Sequence, residues 1–391
     1  MFKNSQPYDW SNKLWSDQVN SSFLFRLREA VAEHVLPYAD EIDEKDYYPT
    51  KTIKELSRLG YTNLTLPKQW GGLGASFKKC AAVFEETSYA SAAVGISLIT
   101  ILQAQTLIHL YGGEKLKHEI LPKFSQGLIT SYALTEANHG SDIRTLDTKA
   151  KKINKGWLLN GRKSFITSSQ AAEAYIVLAE SDKGVTTFYL EADTAGVSTE
   201  TGRNASTFGL RNGPHMDLIL SNVYIPKHYL IGEEGRGIRQ AVTTLDYSRT
   251  VAGAISIGIA RAAFDRALYY ASRRRAFDKE VLDFQGIQWY FAELISEIDA
   301  ARLLVYEACK ALDSGNEIER YSSQAKLLAS EIATKTAIKA IQVCGAYGVT
   351  MQAPFGRYLR DAKAYEIAGG SSEILKNTIA KHLSQFTKNL D

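Results

Sequence analysis

The chain has 391 residues, 45% hydrophobic and 23% charged, the composition of an ordinary globular protein with core enough for two or three domains, which excludes disordered and fibrous classes. Its formal net charge of +3 leaves no footprint for nucleic acid or an anionic membrane. The three cysteines, Cys80, Cys309 and Cys344, are far apart with no Cys-x-x-Cys spacing, which suits small buried residues in a reducing cytoplasm rather than a disulfide framework.

Residues 1–15 are polar and aromatic with no apolar h-region, so no signal peptide is expected. Apolar residues recur at helical spacing over 20–38, and a second helix over 50–59 stops at Gly60. A loop rich in Gly and Pro over 67–74 precedes a helix over 77–90. The apolar run 92–102 is shorter than the roughly 20 residues a membrane span needs, so it reads as a core helix. A further helix, 114–125, closes a helical domain over 1–127.

From Leu128 the pattern changes to short alternating or β-branched runs: Trp157-Leu-Leu, Tyr175-Ile-Val-Leu and Thr186-Thr-Phe-Tyr-Leu190. Asn160-Gly161, Asp182-Lys-Gly184 and Ala195-Gly196 between them are turn signals. A middle domain of antiparallel strands, a small barrel or sandwich over 128–235, is expected. Long helices return over 252–272, 285–313, 322–343 and 371–386, predicting a C-terminal four-helix bundle over 236–391. The Ala/Gly/Ile composition of 252–263 suggests close helix approach. The fold class is therefore α+β, helical at both ends.

One stretch stands out, Tyr132-Ala-Leu-Thr-Glu-Ala-Asn-His-Gly-Ser-Asp142. A short apolar strand there breaks into a loop of small residues, hydroxyls and carboxylates, an edge that can offer backbone N–H groups to a flat polar ligand. Taken alone it reads first as an ordinary turn after a strand.

Further motifs narrow the reading. Ala133-Leu-Thr-Glu-Ala-Asn-His-Gly-Ser-Asp142, Gly161-Arg-Lys-Ser-Phe-Ile-Thr167, Arg274-Arg-Ala-Phe277 with Phe284-Gln285, and Gln342-Val-Cys-Gly-Ala-Tyr-Gly348 leading into Arg357-Tyr-Leu-Arg-Asp-Ala-Lys363 occur in this order. With them the chain resembles the acyl-CoA dehydrogenase family over nearly its whole length, closest in motif layout to the isovaleryl-CoA dehydrogenase-like branch.

The resemblance implies noncovalent FAD between the β domain and the C-terminal bundle. Tyr132, Leu134 and Thr135 would meet the polar edge of the flavin, while Phe165 and Thr167 would cover one face and reach N5. Gly140 and Ser141 would lie near the phosphates and the substrate's pantetheine arm, and Ser371 and Glu373 on the flavin side of the last helix. In the family's tetramer Arg274, with Phe277 and Gln285, would serve a neighbouring subunit's FAD, and Gln342 and Gly345 would lie near its adenosine; a homotetramer or homodimer is implied. Ala346 and Asp278 depart from glycines common there.

The family's reaction needs a carboxylate to remove the proton alpha to a thioester carbonyl. Most members place a glutamate at the position of Gly369, in Tyr365-Glu-Ile-Ala-Gly-Gly-Ser-Ser-Glu373; the isovaleryl branch places it at the position of Ser248, in Leu245-Asp-Tyr-Ser-Arg249. Neither position holds one here, and a serine hydroxyl is too weak to substitute unaided. Asp246 and Glu366 are the alternative carboxylates, although Asp246 also suits a substrate-arm or helix-cap role and Glu366 a structural one.

Three readings follow. The first is dehydrogenation of an acyl thioester, on CoA or on a carrier protein in a biosynthetic pathway, with a non-standard base. Asp246, Arg249 and Gly370 would then bind substrate with Ser141, and the Gly369 N–H would polarise the thioester carbonyl. The second is a flavin-dependent monooxygenase or oxidase; the third is a catalytically silent flavin-binding scaffold. The electron acceptor would be an electron-transfer flavoprotein or O2. His139 and His215 lack a partner at metal spacing, so no metal is expected. Gly213-Pro-His215 replaces the residues that usually follow the Gly-x-Arg turn of 209–211, which points toward a carrier-protein phosphopantetheine or a free small molecule.

Overall fold

A computed structural model describes residues 19–202 and 205–388. Helices α1 (Ser21–His34), α2 (Ala39–Lys45) and α3 (Thr50–Arg58) lead into α4 (Phe77–Ala90), α5 (Ala92–Tyr111) and α6 (Glu114–Ile120). Asn20 begins the series as an N-cap, its side chain accepting from Ser22 N at 2.8 Å. The helix expected over 114–125 stops early, because Pro122 turns residues Leu121–Gln126 into a 3-10 segment. Helix α5 is long and apolar enough to cross a membrane, but 83% of its apolar window is buried inside the fold.

The middle region holds β1 (Thr130–Ala133), β2 (Lys149–Ile153), β3 (Gly156–Ile166), β4 (Ala174–Ser181), β5 (Gly184–Glu191), β6 (Val197–Glu200), β7 (Met216–Pro226) and β8 (Leu230–Ile231). They form an eight-stranded sheet of order β6-β7-β3-β2-β4-β5-β8, with β1 on β4. The antiparallel expectation needs correcting, for the sheet is mixed: β1 runs parallel to β4 from Thr130↔Ala174 to Ala133↔Val177, and β2 meets β4 in parallel at Lys149↔Glu180. Parallel neighbours need a long crossover, here the loop after β1 together with β2 and β3.

Asn160-Gly161 is a second correction. It is a bulge inside β3, where the register with β7 shifts between Leu159 and Gly161. A Cβ on Gly161 would lie 2.6 Å from Thr148 Cα, so this close approach demands glycine. The hairpin itself turns at Asn154-Lys155, between the paired Ile153 and Gly156.

Helices α7 (Gly237–Ala271), α8 (Gln285–Ser314), α9 (Ile318–Gly348), α10 (Phe355–Ile367) and α11 (Ser372–Lys388) complete the chain, with a small hairpin of β9 (Arg275–Ala276) and β10 (Lys279–Glu280) after α7. Helix α7 starts well before the predicted 252, so Asp246, Ser248 and Arg249 are helical. The close approach read from 252–263 is present: a Cβ on Gly258 would meet Glu85 O at 2.5 Å. Beside it, Arg261 Nη1 and Arg302 Nη2 reach Glu85 Oε1 at 2.6 and 2.8 Å, an ion network buried where α4, α7 and α8 meet.

Candidate active site

The loop after β1 is built by residues whose partners lie far along the chain. Ser164 N donates to Thr135 O at 2.9 Å, and Ser131 Oγ donates to Thr167 O. Lys163 is fully buried and donates to Leu134 O at 3.1 Å and Glu136 Oε1 at 2.7 Å. Glu136 also accepts from the backbone N–H groups of Asp147 and Thr148. Burial alone would raise the Glu136 carboxyl, but the hydrogen bonds from Lys163 and Thr148 hold it below its ordinary value; burial pushes Lys163 down to about 8 against the pull of Glu136. Leu134, Thr135, Phe165 and Thr167 are thereby fixed along one edge.

Phe165 is the informative member of this group. It follows the buried Ser164, yet its ring is 48% exposed on a left-handed backbone with φ of 56°. A non-glycine residue held there is strained, and such strain gathers at ligand clamps. Thr135 and Thr167 stand half-buried, and the Tyr132 hydroxyl is buried without a hydrogen-bond partner. An open aromatic face flanked by hydroxyls fits a flat ring with a polar edge, as FAD requires. Gly140 and Ser141 lie in the exposed loop beyond.

That loop also corrects the isolation expected of His139. Its Nε2 lies 3.3 Å from Asp147 Oδ1, and with Glu136 the three could face one ion. Glu136 is already committed to Lys163 and two backbone N–H groups, which accounts for the cluster without a metal. His215 is also buried, with Nε2 3.0 Å from Asn212 Oδ1. The 209–215 loop is therefore largely buried, with Arg211 and Pro214 half-buried.

We expect Lys163→Met to leave Glu136 buried without its cation at a cost of about 3–5 kcal/mol. A lowered denaturation midpoint together with loss of the yellow colour would follow; restoring both with Glu136→Gln in the same chain tests the pair.

The second group gathers on α7 and the turn before α11. Asp246 and Arg249 share one face, Arg249 Nη1 donating to Asp246 Oδ1 at 3.4 Å and Nε to Gly369 O at 3.2 Å. Ser322 Oγ also donates to Asp246 Oδ1, at 3.0 Å. Burial pushes the Asp246 carboxyl up to about 6, opposed by Arg249 and Ser322. Gly369 and Gly370 both have positive φ, 72° and 107°, and a Cβ on Gly370 would meet Arg249 Nη2 at 3.3 Å. From α9 the buried Lys326 donates to Gly370 O at 2.7 Å and Glu366 O at 3.2 Å, and burial followed by the Arg249 charge pushes it down to about 7. Two cations thus hold the carbonyls of this turn.

Ser248 points elsewhere. Its Oγ donates to Thr244 O at 2.7 Å and accepts from Gln103 Nε2 of α5 at 3.2 Å, so a serine–glutamine pair fills a slot where the branch carries its glutamate. Glu366 is occupied by Thr334 and Lys363, in keeping with a structural role. Ser371 Oγ accepts from Ile374 N at 3.5 Å, and Glu373 is exposed in the first turn of α11, where a carboxylate suits the helix dipole.

A third, solvent-facing group lies at the far ends of α7 and α9. Arg274, Gln285, Gln342 and Gly345 are exposed, and Phe277 is 89% exposed with φ of 50°. Asp278, in the position where glycine is usual, takes a left-handed backbone itself, with φ of 60°. Gly345 kinks α9 at φ 56° and ψ −136°, and Tyr270 stacks on Tyr347 at 5.5 Å to join the two ends.

Gln103, Lys163, Ser322 and Lys326 were not among the expected site residues. Gln103 had a signal, being a polar residue three and six positions from Thr100 and Ser97 on a largely apolar helix.

A mixed sheet between two helical regions, an open aromatic face with flanking hydroxyls, and a cation-held glycine turn define a flavin-dependent oxidoreductase of acyl thioesters. The chain matches the acyl-CoA dehydrogenase N-terminal domain over residues 20–128, the middle domain over 131–223 and the C-terminal domain over 235–384. It belongs to the acyl-CoA dehydrogenase family, and its cofactor is FAD.

Similar proteins include the probable acyl-CoA dehydrogenase FadE25 of Mycobacterium tuberculosis, 32% identical over 91% of this chain and 93% of its own. Butyryl-CoA dehydrogenase from Megasphaera elsdenii superposes with a TM-score of 0.89 at 32% identity, covering 93% of this chain and 97% of that one. The prolyl acyl carrier protein oxidase AnaB does so with a TM-score of 0.86 at 25% identity, covering 93% and 99%.

Proposed function

We propose that the chain catalyses α,β-dehydrogenation of an acyl thioester carried on phosphopantetheine, with Asp246 as the carboxylate that takes the α proton. The observation that carries this reading is the wiring of Asp246 through Arg249 to the Gly369–Gly370 turn, in a site where Ser248 and Gly369 supply no carboxylate. FAD, when bound, accepts the hydride that leaves the β carbon. The chain does the rest: Arg249 and Lys326 hold the turn's carbonyls, which leaves its N–H groups to polarise the thioester carbonyl.

Butyryl-CoA dehydrogenase and AnaB, by name, act on a CoA thioester and a carrier-protein thioester, and either carrier fits this reading. The exposed Arg274–Phe277 turn and the bend at Gly345 support a homotetramer or homodimer in which they complete a neighbouring copy's cofactor site. An electron-transfer flavoprotein or O2 would then reoxidise the enzyme.

A second reading, oxygenation of the substrate with O2, is favoured by the same two empty base positions. Mixing FAD-loaded protein with acyl-pantetheine thioesters, on CoA and on a carrier protein, first anaerobically and then in air, separates the two. Thioester-dependent bleaching and a product that has lost two hydrogens are expected. A product that has gained an oxygen, formed only in air, would establish the second reading instead.

A further inference from the structure

The polar residues of α5 are the strongest feature left unexplained. Gln103 bonds Ser248 of α7, and three residues earlier Thr100 Oγ1 lies 3.3 Å from Ser168 Oγ, the residue directly after Thr167. Ser97 Oγ, three residues earlier again, accepts from the buried Asn212 Nδ2 at 2.9 Å, and Asn212 in turn holds His215. One helix face therefore carries a seam of hydroxyls and amides from the empty base position, past the flavin-facing strand, into the interior. An acyl group that reacts at Asp246 and reaches past Ser248 with its far end would run along it.

Two properties of the seam restrict what it accepts. First, it is neutral. Burial pushes His215 down to about 4, so its ring is uncharged near neutrality. Asp46, whose charge reaches His215, is itself held by Gly213 N at 3.2 Å, by Ser206 and by Arg211. A carboxylate or ammonium entering here would find no counter-charge and would lose its hydration uncompensated.

Second, one donor is unspent. Tyr48 is 5% exposed, and its hydroxyl lies beside Ser97 and Ser168 without a hydrogen bond of acceptable geometry. A buried hydroxyl left so keeps an uncompensated desolvation cost, which a polar ligand group would recover. A hydrocarbon tail would instead leave it unmet and displace nothing of use.

We infer that the acyl group of the substrate is short and carries a neutral hydrogen-bonding group, a hydroxyl, which the Tyr48 hydroxyl and the Ser97–Thr100–Gln103 face of α5 recognise. The inference rests on the thioester reading above and deepens it to a substrate class. Tyr48 and Gln103 are then specificity-determining residues, acting on the far end of the acyl group rather than on the reacting carbons.

Anaerobic bleaching of the FAD-loaded enzyme by four pantetheine thioesters tests this: γ-hydroxybutyryl, its isostere pentanoyl, and the charged succinyl and γ-aminobutyryl. The hydroxyl compound should react at least about tenfold better than pentanoyl in second-order rate, because a site built to bond a hydroxyl is left unpaired by the analogue lacking it. Tyr48→Phe and Gln103→Leu, checked for full FAD content, should bring that ratio close to one. Preference for pentanoyl or for either charged compound overturns the inference, as does a ratio that survives both variants. Bleaching by none of the four, with FAD bound, overturns the thioester reading itself.

Discussion

Asp246→Asn is expected to slow thioester-dependent flavin reduction by about 10²–10⁴-fold, the contribution of a positioned base, while leaving FAD content unchanged. The pH dependence carries the second half of this prediction. A base must be ionised to take a proton, and burial pushes the Asp246 carboxyl up to about 6. The rate should therefore rise as pH increases through about 6 and level off above it. In the asparagine variant that limb should vanish. If Asp246 only anchored the pantetheine arm, the variant would weaken binding, keep most of its saturated rate and retain the limb.

Ser248→Glu should act in the opposite direction. Position 248 lies within helix α7, where a longer side chain meets no backbone strain, and Gln103 already offers it a donor at 3.2 Å. Gly369 is the poorer place to restore a carboxylate, since its φ of 72° strains any L side chain even though a Cβ there meets nothing within 4 Å. On an Asp246→Asn background the glutamate should recover about 10²-fold of the lost rate on a simple acyl thioester where that thioester can turn its α proton to the Ser248 side, half a helix turn from Asp246. Failure to recover anything, in protein that binds FAD fully, would show that the proton leaves by a route neither position serves.

These expectations trace to different depths of the chain. The flavin-edge loop and the missing glutamates were legible because local motifs carry them: Thr135, Phe165, Ser248 and Gly369 are recognised from immediate neighbours. The start of α7 was not, since residues 239–250 lack an apolar stripe and bury Gln240, Asp246 and Arg249 instead, through partners on other elements. Asn160-Gly161 misled for another reason: the dipeptide serves a turn or a bulge alike, and pairing with β7 decides between them. Lys163 with Glu136, and Arg302 with Glu85, look like solvated charges until the fold brings them together. Polar residues on a buried helix, as at Ser97, Thr100 and Gln103, were the one readable sign passed over.

The parallel pairing of β1 with β4 also orders the way the molecule is made. The β2–β3 and β4–β5 hairpins join residues adjacent in the chain and can form as soon as they are synthesised. Strand β1 must wait until residues as distant as Ala174 and Val177 exist and are themselves paired. Loop-closure entropy sets that delay, because a long segment is ordered before its contacts return anything. The Leu134–Thr135 edge follows β1 directly, so this part of the cofactor's cradle cannot assemble until β4 has been made. A nascent chain has no such edge with which to capture FAD before that point.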